Sequence, residues 1–249
     1  HGESLEYASE ELRNDKEVVL TAIKDPIGEG YDGSALEFAS KELRCDKEVV
    51  MTAIENDRWC HAFEYACKEL RADKEVFLAA INTFWYPCYA SRCSLLPYAS
   101  KELRSDKDVV LTAVSKKGSF EFEYASKELR ADKEVVMAAL ASSDLASDFM
   151  PVLQLISKDL RADKEVVLAA VKDVGYALAD ASKKLQGDKE VVLAAIKNDG
   201  GAINYASDEL KKELSNKWYN EASKFLTTYY GQLAFLKINP NKEFSLNEM

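Results

Sequence analysis

The fold is decided by residues 5–23, Leu5-Glu-Tyr-Ala-Ser-Glu-Glu-Leu-Arg-Asn-Asp15-Lys-Glu-Val-Val-Leu-Thr-Ala-Ile23, because this stretch returns along the chain with few changes. Each copy contains an aspartate that is followed by a lysine and an acidic residue. The seven full copies are centred on Asp15, Asp46, Asp73, Asp106, Asp132, Asp163 and Asp188. A period this regular indicates a repeat protein, in which each copy is one small structural unit.

Apolar spacing predicts two helices in each unit. Leu5, Ala8, Ser9 and Leu12 recur at the spacing of one helix face, which is typical of an amphipathic outer helix. Apolar residues in segment 18–23 occupy more than one face, so we expect the second helix to be the inner one. Few glycines and prolines, 15 together in 249 residues, also favour helices.

The aspartate between the two helices is a predicted helix cap. A carboxylate at this position accepts hydrogen bonds from the first free N–H groups of the following helix. Two helices of about three turns each cannot enclose a core, so neighbouring units must stack. The sequence therefore predicts an all-α fold, an α-solenoid of about seven two-helix repeats of roughly 25 residues, in an elongated monomer.

Spacing between the capping aspartates alternates between long and short: 31, 27, 33, 26, 31 and 25 residues. Extra residues therefore enter after the first, third and fifth copies, in the linkers 24–34, 82–94 and 141–150. An eighth copy begins at Ile203, but Lys211 to Leu214 replace its capping turn. We divide the chain into a repeat array at 4–210 and a C-terminal helical cap and tail at 211–249.

The repeated motif Leu-x-Tyr-Ala-Ser-Lys-Glu-Leu-Arg-x-Asp-Lys-Glu-Val-Val-Leu-x-Ala-Val resembles the repeat family called domain of unknown function 4116, over residues 4 to 210. The resemblance implies an interaction module within a larger protein, such as an effector that an intracellular bacterium delivers into the host cytosol. It implies no activity and no catalytic residue. Residues 216–249 lie outside the resemblance and inherit nothing from it.

Net charge and cysteine content limit the classes of partner and the cellular location that we expect for this chain. The net charge of −10 disfavours nucleic acids and anionic membrane surfaces, and no apolar run is long enough for membrane insertion. The start, His1-Gly2-Glu3-Ser4, has no initiator methionine and no signal-peptide core, so we expect a piece of a longer chain. Five cysteines are too few for a disulfide scaffold, which favours a reducing, intracellular location.

Arginine recurs at one position in six units and becomes Gln186 in the seventh; the six are Arg13, Arg44, Arg71, Arg104, Arg130 and Arg161. Such a row of guanidinium groups is an alternative site for an anionic ligand. We favour a structural role, in which each arginine caps helix carbonyls and pairs with the carboxylates two residues before and after it.

Residues for catalysis are lacking. His61 is the only histidine besides His1, so a nucleophilic serine or cysteine has no second candidate base. Cys60 and His61 with Cys67 and the later Cys88 and Cys93 can be drawn as a zinc site, but no Cys-x-x-Cys pair supports it. A small core residue explains Cys67 without a metal. We expect no enzyme, no metal and no cofactor.

The strongest departure from the repeat is the second long linker, where Phe84, Trp85, Tyr86 and Tyr89 fall within six positions. Aromatic side chains dominate binding hot spots, but they also cover exposed helix ends, and both interpretations stay open. Trp59, Phe149 and Met150 in other linkers either extend the same predicted surface or act as local plugs of the core. The predicted function is a non-catalytic scaffold that binds a protein or peptide; the alternative is an accessory region that positions an enzyme elsewhere in the full-length protein.

Overall fold

The computed structural model describes residues 2–24, 35–57, 61–82, 94–142 and 152–216, and these ranges are built from short helices. Successive units contact each other along the whole described array. The predicted all-α solenoid is therefore confirmed.

Each unit differs from the prediction in having three helical segments instead of two. The longest segment follows the capping aspartate, and it is the predicted inner helix. Its seven copies are Lys16–Lys24, Lys47–Glu55, Lys74–Asn82, Lys107–Lys117, Lys133–Ala141, Lys164–Asp173 and Lys189–Asn198. Before it come a leading helix and a short middle turn. The leading helices, some of them 3₁₀, are Gly2–Tyr7, Ala35–Phe38, His61–Tyr65, Leu96–Tyr98, Ser119–Tyr124, Val152–Leu155, Gly175–Asp180 and Gly200–Tyr205. The middle turns are Glu10–Arg13, Leu43–Cys45, Leu70–Ala72, Leu103–Ser105, Leu129–Ala131, Leu160–Ala162 and Lys183–Gln186.

The predicted outer helix is interrupted because the Ala-Ser pair has an extended backbone. Ser9 has φ −63° and ψ 159°, and its side chain accepts a hydrogen bond from the N–H of Leu12 at 3.3 Å. Serine at this position thus ends the leading helix and caps the middle turn. Apolar spacing runs through the break in phase, so periodicity alone predicts one continuous helix.

The long helices form the inner layer of the array. In the fourth unit, Val109, Val110, Ala113 and Val114 are each 0% exposed. Each long helix packs against the long helix of the next unit, and the leading helices form a second row beside them. Apolar burial between units thus supplies the core that no single unit can enclose.

In the eighth unit the middle turn continues into a longer helix. Residues 208–216 are continuously helical, and Leu210 and Leu214 are buried in the hydrophobic core. The helix passes straight through residue 213, which is the register position of the capping aspartate in the other units.

Candidate functional site

Neighbouring units are joined first through the backbone. The carbonyl of Arg104 accepts a hydrogen bond from the N–H of Ser126 at 2.8 Å, across the boundary between the fourth and fifth units. The same bond recurs at five other boundaries, between the carbonyls of Arg13, Arg44, Arg71, Arg161 and Gln186 and the N–H groups of Ser40, Cys67, Ser100, Ser182 and Ser207. The arginine and serine positions of successive units therefore lie side by side.

A row of lysines forms a second connection. The Lys107 ammonium lies 2.7 Å from the carboxylate of Asp132 and 2.8 Å from that of Glu134, both in the next unit. Equivalent lysine–aspartate pairs join Lys16 to Asp46, Lys47 to Asp73, Lys74 to Asp106, Lys133 to Asp163 and Lys164 to Asp188. Lys189 pairs with Glu213 of the eighth unit. We call this row of lysine–carboxylate pairs between units the ladder. It was not predicted, although the lysine that follows every capping aspartate in the sequence could have indicated it.

The ladder perturbs the acid–base behaviour of both partners. In each of the six aspartate pairs, the hydrogen bond from lysine is the main cause that lowers the pKa of the aspartate below its usual value. The same bond raises the pKa of the lysine. Every charge in the row already has a partner of opposite sign, so these residues hold the units together.

The arginines do not pair as predicted. None of the ion pairs among the described residues involves an arginine, because the neighbouring aspartates face the lysines of the preceding unit. The Nε atoms of Arg13, Arg71, Arg104, Arg130 and Arg161 are buried without a hydrogen-bond partner. Gln186 occupies the same position in the seventh unit, and its amide donates hydrogen bonds to the backbone carbonyls of Leu178 and Ala179.

An open groove lies where these arginines meet the aromatic residues before the Ala-Ser pair. Arg44, Tyr65, Arg71 and Tyr98, from three successive units, line it, and its volume is about 570 Å³. An equivalent groove at the last boundary contains Gln186, Tyr205 and Lys211 in the same register. Its recurrence at two boundaries makes this groove a feature of the stacked repeat, and we take it as the candidate site.

Cationic side chains outnumber acidic ones in the groove, although the chain as a whole is acidic. Four cations and two carboxylates line it: Lys41, Arg44, Lys68, Arg71, Glu64 and Glu69. Two thiols, those of Cys45 and Cys67, also lie on its wall. A hydrogen bond with Cys67, followed by burial, raises the pKa of Cys45 to about 11. Cys67, for which a small core residue was predicted, is partly buried and packs against the hydrophobic core.

A buried carboxylate is a further feature that the sequence analysis missed. Glu121 is 0% exposed and accepts hydrogen bonds from Ser94 Oγ, Leu95 N and Leu96 N at 2.8, 2.7 and 2.9 Å. Burial raises its pKa, against the effect of these hydrogen bonds and of Lys117. Six other units have apolar residues at this register position, namely Ala35, Ala62, Leu95, Val152, Ala177 and Ala202, and the first unit has Ser4. Glu121 is the only charged residue at this position, and this contrast was the available signal.

All predicted partner-binding residues lie outside the described part of the chain. They are Trp59, Phe84, Trp85, Tyr86, Tyr89, Phe149 and Met150. His61 begins the leading helix of the third unit and is exposed. None of the described helices combines the length and the apolar character that crossing a bilayer requires.

Comparison with known proteins agrees with the repeat register. Neither a curated protein nor a solved structure shows significant similarity to the chain. The family described as Domain of unknown function (DUF4116) matches residues 1–27, 30–71, 73–130, 132–186 and 163–211. These matches span most of the chain, and the chain therefore belongs to the DUF4116 family.

Proposed function

We propose that this chain is a non-catalytic scaffold that binds an extended, acidic protein segment along the groove between its repeats. The observation that carries the proposal is the groove formed by Arg44, Tyr65, Arg71 and Tyr98. Tyrosine and arginine are the residue types most enriched at the energetic centres of protein interfaces. An open groove suits a chain segment better than a small molecule, which binds in a pocket that encloses most of its surface.

The charge of the groove supports the same proposal. Four cationic side chains and two carboxylates line it. Carboxylates of a bound segment match this excess of cations, and hydrogen bonds between arginine and carboxylate are stronger than those between neutral groups.

The experiment is a selection of displayed peptides on the immobilised chain, followed by affinity measurements on variants. We expect the selected peptides to be acidic, and Arg71→Ala or Tyr98→Ala to weaken their binding by at least about tenfold. Arg161→Ala is the matched control, since it removes the same repeat position where the neighbouring aromatic positions are Leu155 and Asp180. Binding that is equally sensitive to Arg161 and Arg71, or insensitive to both, contradicts the proposal.

A second candidate function is the binding of a non-peptide polyanion by the arginine row. It is favoured by Arg44 and Arg71, which come from successive units and line one groove. The two functions differ in their use of tyrosine, because a polyanion needs the cations and not the rings. Inorganic tripolyphosphate that binds wild type and Tyr98→Ala equally, and binds Arg71→Ala more weakly, supports the polyanion site.

A further inference from the structure

Two cysteines occupy the two repeat positions whose side chains meet across a unit boundary. The N–H of Cys67 donates to the carbonyl of Arg44, the residue before Cys45, at 2.9 Å. At the preceding boundary the same positions are held by Asn14 and Ser40, and Ser40 Oγ donates to Asn14 Oδ1 at 2.6 Å. Side chains at these two positions are therefore within bonding reach of each other.

Glu69 brings a third ligand to the same point. The two sulfur atoms of Cys45 and Cys67 and a carboxylate oxygen of Glu69 all lie within 4.8 Å of one another. A zinc ion with bonds of about 2.3 Å to sulfur and 2.0–2.2 Å to oxygen holds its ligands slightly closer than this, so small side-chain movements suffice. Cys45 and Glu69 are exposed, which leaves the fourth coordination position open to solvent.

Stacking does not explain Cys67. In the other seven units this position is serine, and each serine Oγ accepts a hydrogen bond from the leucine N–H three residues later at 3.2–3.4 Å. Thiols are weak acceptors, so cysteine weakens the cap that defines the unit. Cys45 is also the only cysteine at its repeat position. The other units have Asn14, Ala72, Ser105, Ala131, Ala162, Gly187 and Lys212 there.

From these observations we infer that Cys45, Cys67 and Glu69 form a binding site for a thiophilic divalent metal ion of the Zn²⁺ class. Thiolate ligands select such ions over Mg²⁺ and Ca²⁺, which prefer oxygen. Two thiolates and one carboxylate around a divalent ion leave one negative charge, and Arg44 and Lys68 on the same groove wall offset it. The bound ion bridges the second and third units, and this role does not depend on the proposed peptide binding.

Cobalt(II) is the probe, because it takes zinc sites and its thiolate complexes absorb strongly. Under reducing conditions we expect one Co²⁺ per chain, a thiolate-to-metal band, and displacement by Zn²⁺. All three results should persist in a variant in which Cys60, Cys88 and Cys93 are changed to serine. Glu69→Gln should weaken Co²⁺ binding by at least about tenfold. Cys45→Ser and Cys67→Ser should lose the band.

Cys67→Ser restores the residue of the other units, so it is expected to fold, and circular dichroism checks this. Zn²⁺ should raise the melting temperature of wild type and leave that of Cys67→Ser unchanged, because only a bound ion stabilises the native state. A band that survives in both Cys45→Ser and Cys67→Ser places the metal on other cysteines. That outcome, or the absence of any band in the triple variant, overturns the inference.

Discussion

The ammonium nitrogen of Lys74 lies 2.7 Å from a carboxylate oxygen of Asp106, 32 residues later, and joins the third unit to the fourth. The other carboxylate oxygen of Asp106 accepts from the N–H of Val109 at 3.1 Å and caps the long helix of its own unit. One aspartate per unit therefore fixes both a helix start and a unit boundary. Local structure and stacking are coupled through a single side chain.

This double role predicts a graded effect of substitutions at Asp106. Asp106→Ala removes the cap and the ion pair and should lower the free energy of unfolding by about 1–2 kcal/mol. Asp106→Asn keeps a capping oxygen and should cost less, and Lys74→Met should add nothing further in the Asp106→Asn background. Equilibrium urea denaturation measures each variant. Equal losses for the alanine and asparagine variants would show that the cap contributes nothing.

The ladder also predicts loss of stability in acid. The pKa values of the six paired aspartates are lowered below the usual value of an aspartate, mainly by the lysine hydrogen bonds. Their contribution is therefore complete above the unfolded value and is lost as the pH falls through the lowered folded values. We expect the urea midpoint to be steady near neutral pH and to fall below about pH 5. A midpoint that is unchanged down to pH 3 contradicts a stabilising role for the ladder.

The sequence predicted the capping aspartate and the long helix of each unit. It missed the break at the Ala-Ser pair, because apolar spacing continues through it, and it missed contacts that depend on the offset between units. Helix capping by Asp46, Asp132 and Asp163 can be predicted from the sequence of a single repeat, because a cap is a local interaction. The pairing of Lys107 with Asp132 depends on which residues stacking brings together, and one repeat does not encode that offset. The contact between Cys45 and Cys67 was missed for the same reason.

Two glycines at one register position test how closely a leading helix approaches the long helix of its own unit. A Cβ atom on Gly175 would lie 2.6 Å from the carbonyl oxygen of Ala195 in the long helix of the same unit, while a Cβ on Gly200 meets nothing within 4 Å among the described residues. We expect Gly175→Ala to lower the free energy of unfolding by about 1–3 kcal/mol, since backbone must move, and Gly200→Ala to change it by less than about 0.5 kcal/mol. Urea denaturation compares them. Equally small effects would mean that the leading and long helices of the seventh unit can separate at little cost.

Burial and hydrogen bonding have opposite effects on the pKa of the Glu121 carboxyl group. Burial raises its pKa above the usual value of a glutamate, so ionisation is harder in the folded chain than in the unfolded one. The stability of wild type relative to Glu121→Gln should therefore be greatest near pH 4.5 and decline as the pH rises through the raised folded pKa. Urea denaturation of both proteins between pH 4.5 and 8 measures this difference. An increase with pH would show that the three donors favour the anion more than burial disfavours it.

The aromatic linker offers the sharpest test of where a partner binds. Phe84, Trp85, Tyr86 and Tyr89 depart from the repeat, and the other units stack without such residues. If they are a hot spot, Trp85→Ala with Tyr86→Ala should weaken binding of a groove-selected peptide by at least about 2 kcal/mol, with an unchanged melting temperature. Arg71→Ala provides the comparison, because its effect reports the groove alone. If they cover helix ends instead, the double variant should melt several degrees lower and still bind the peptide. That result would confine recognition to the row of arginines and tyrosines between the units.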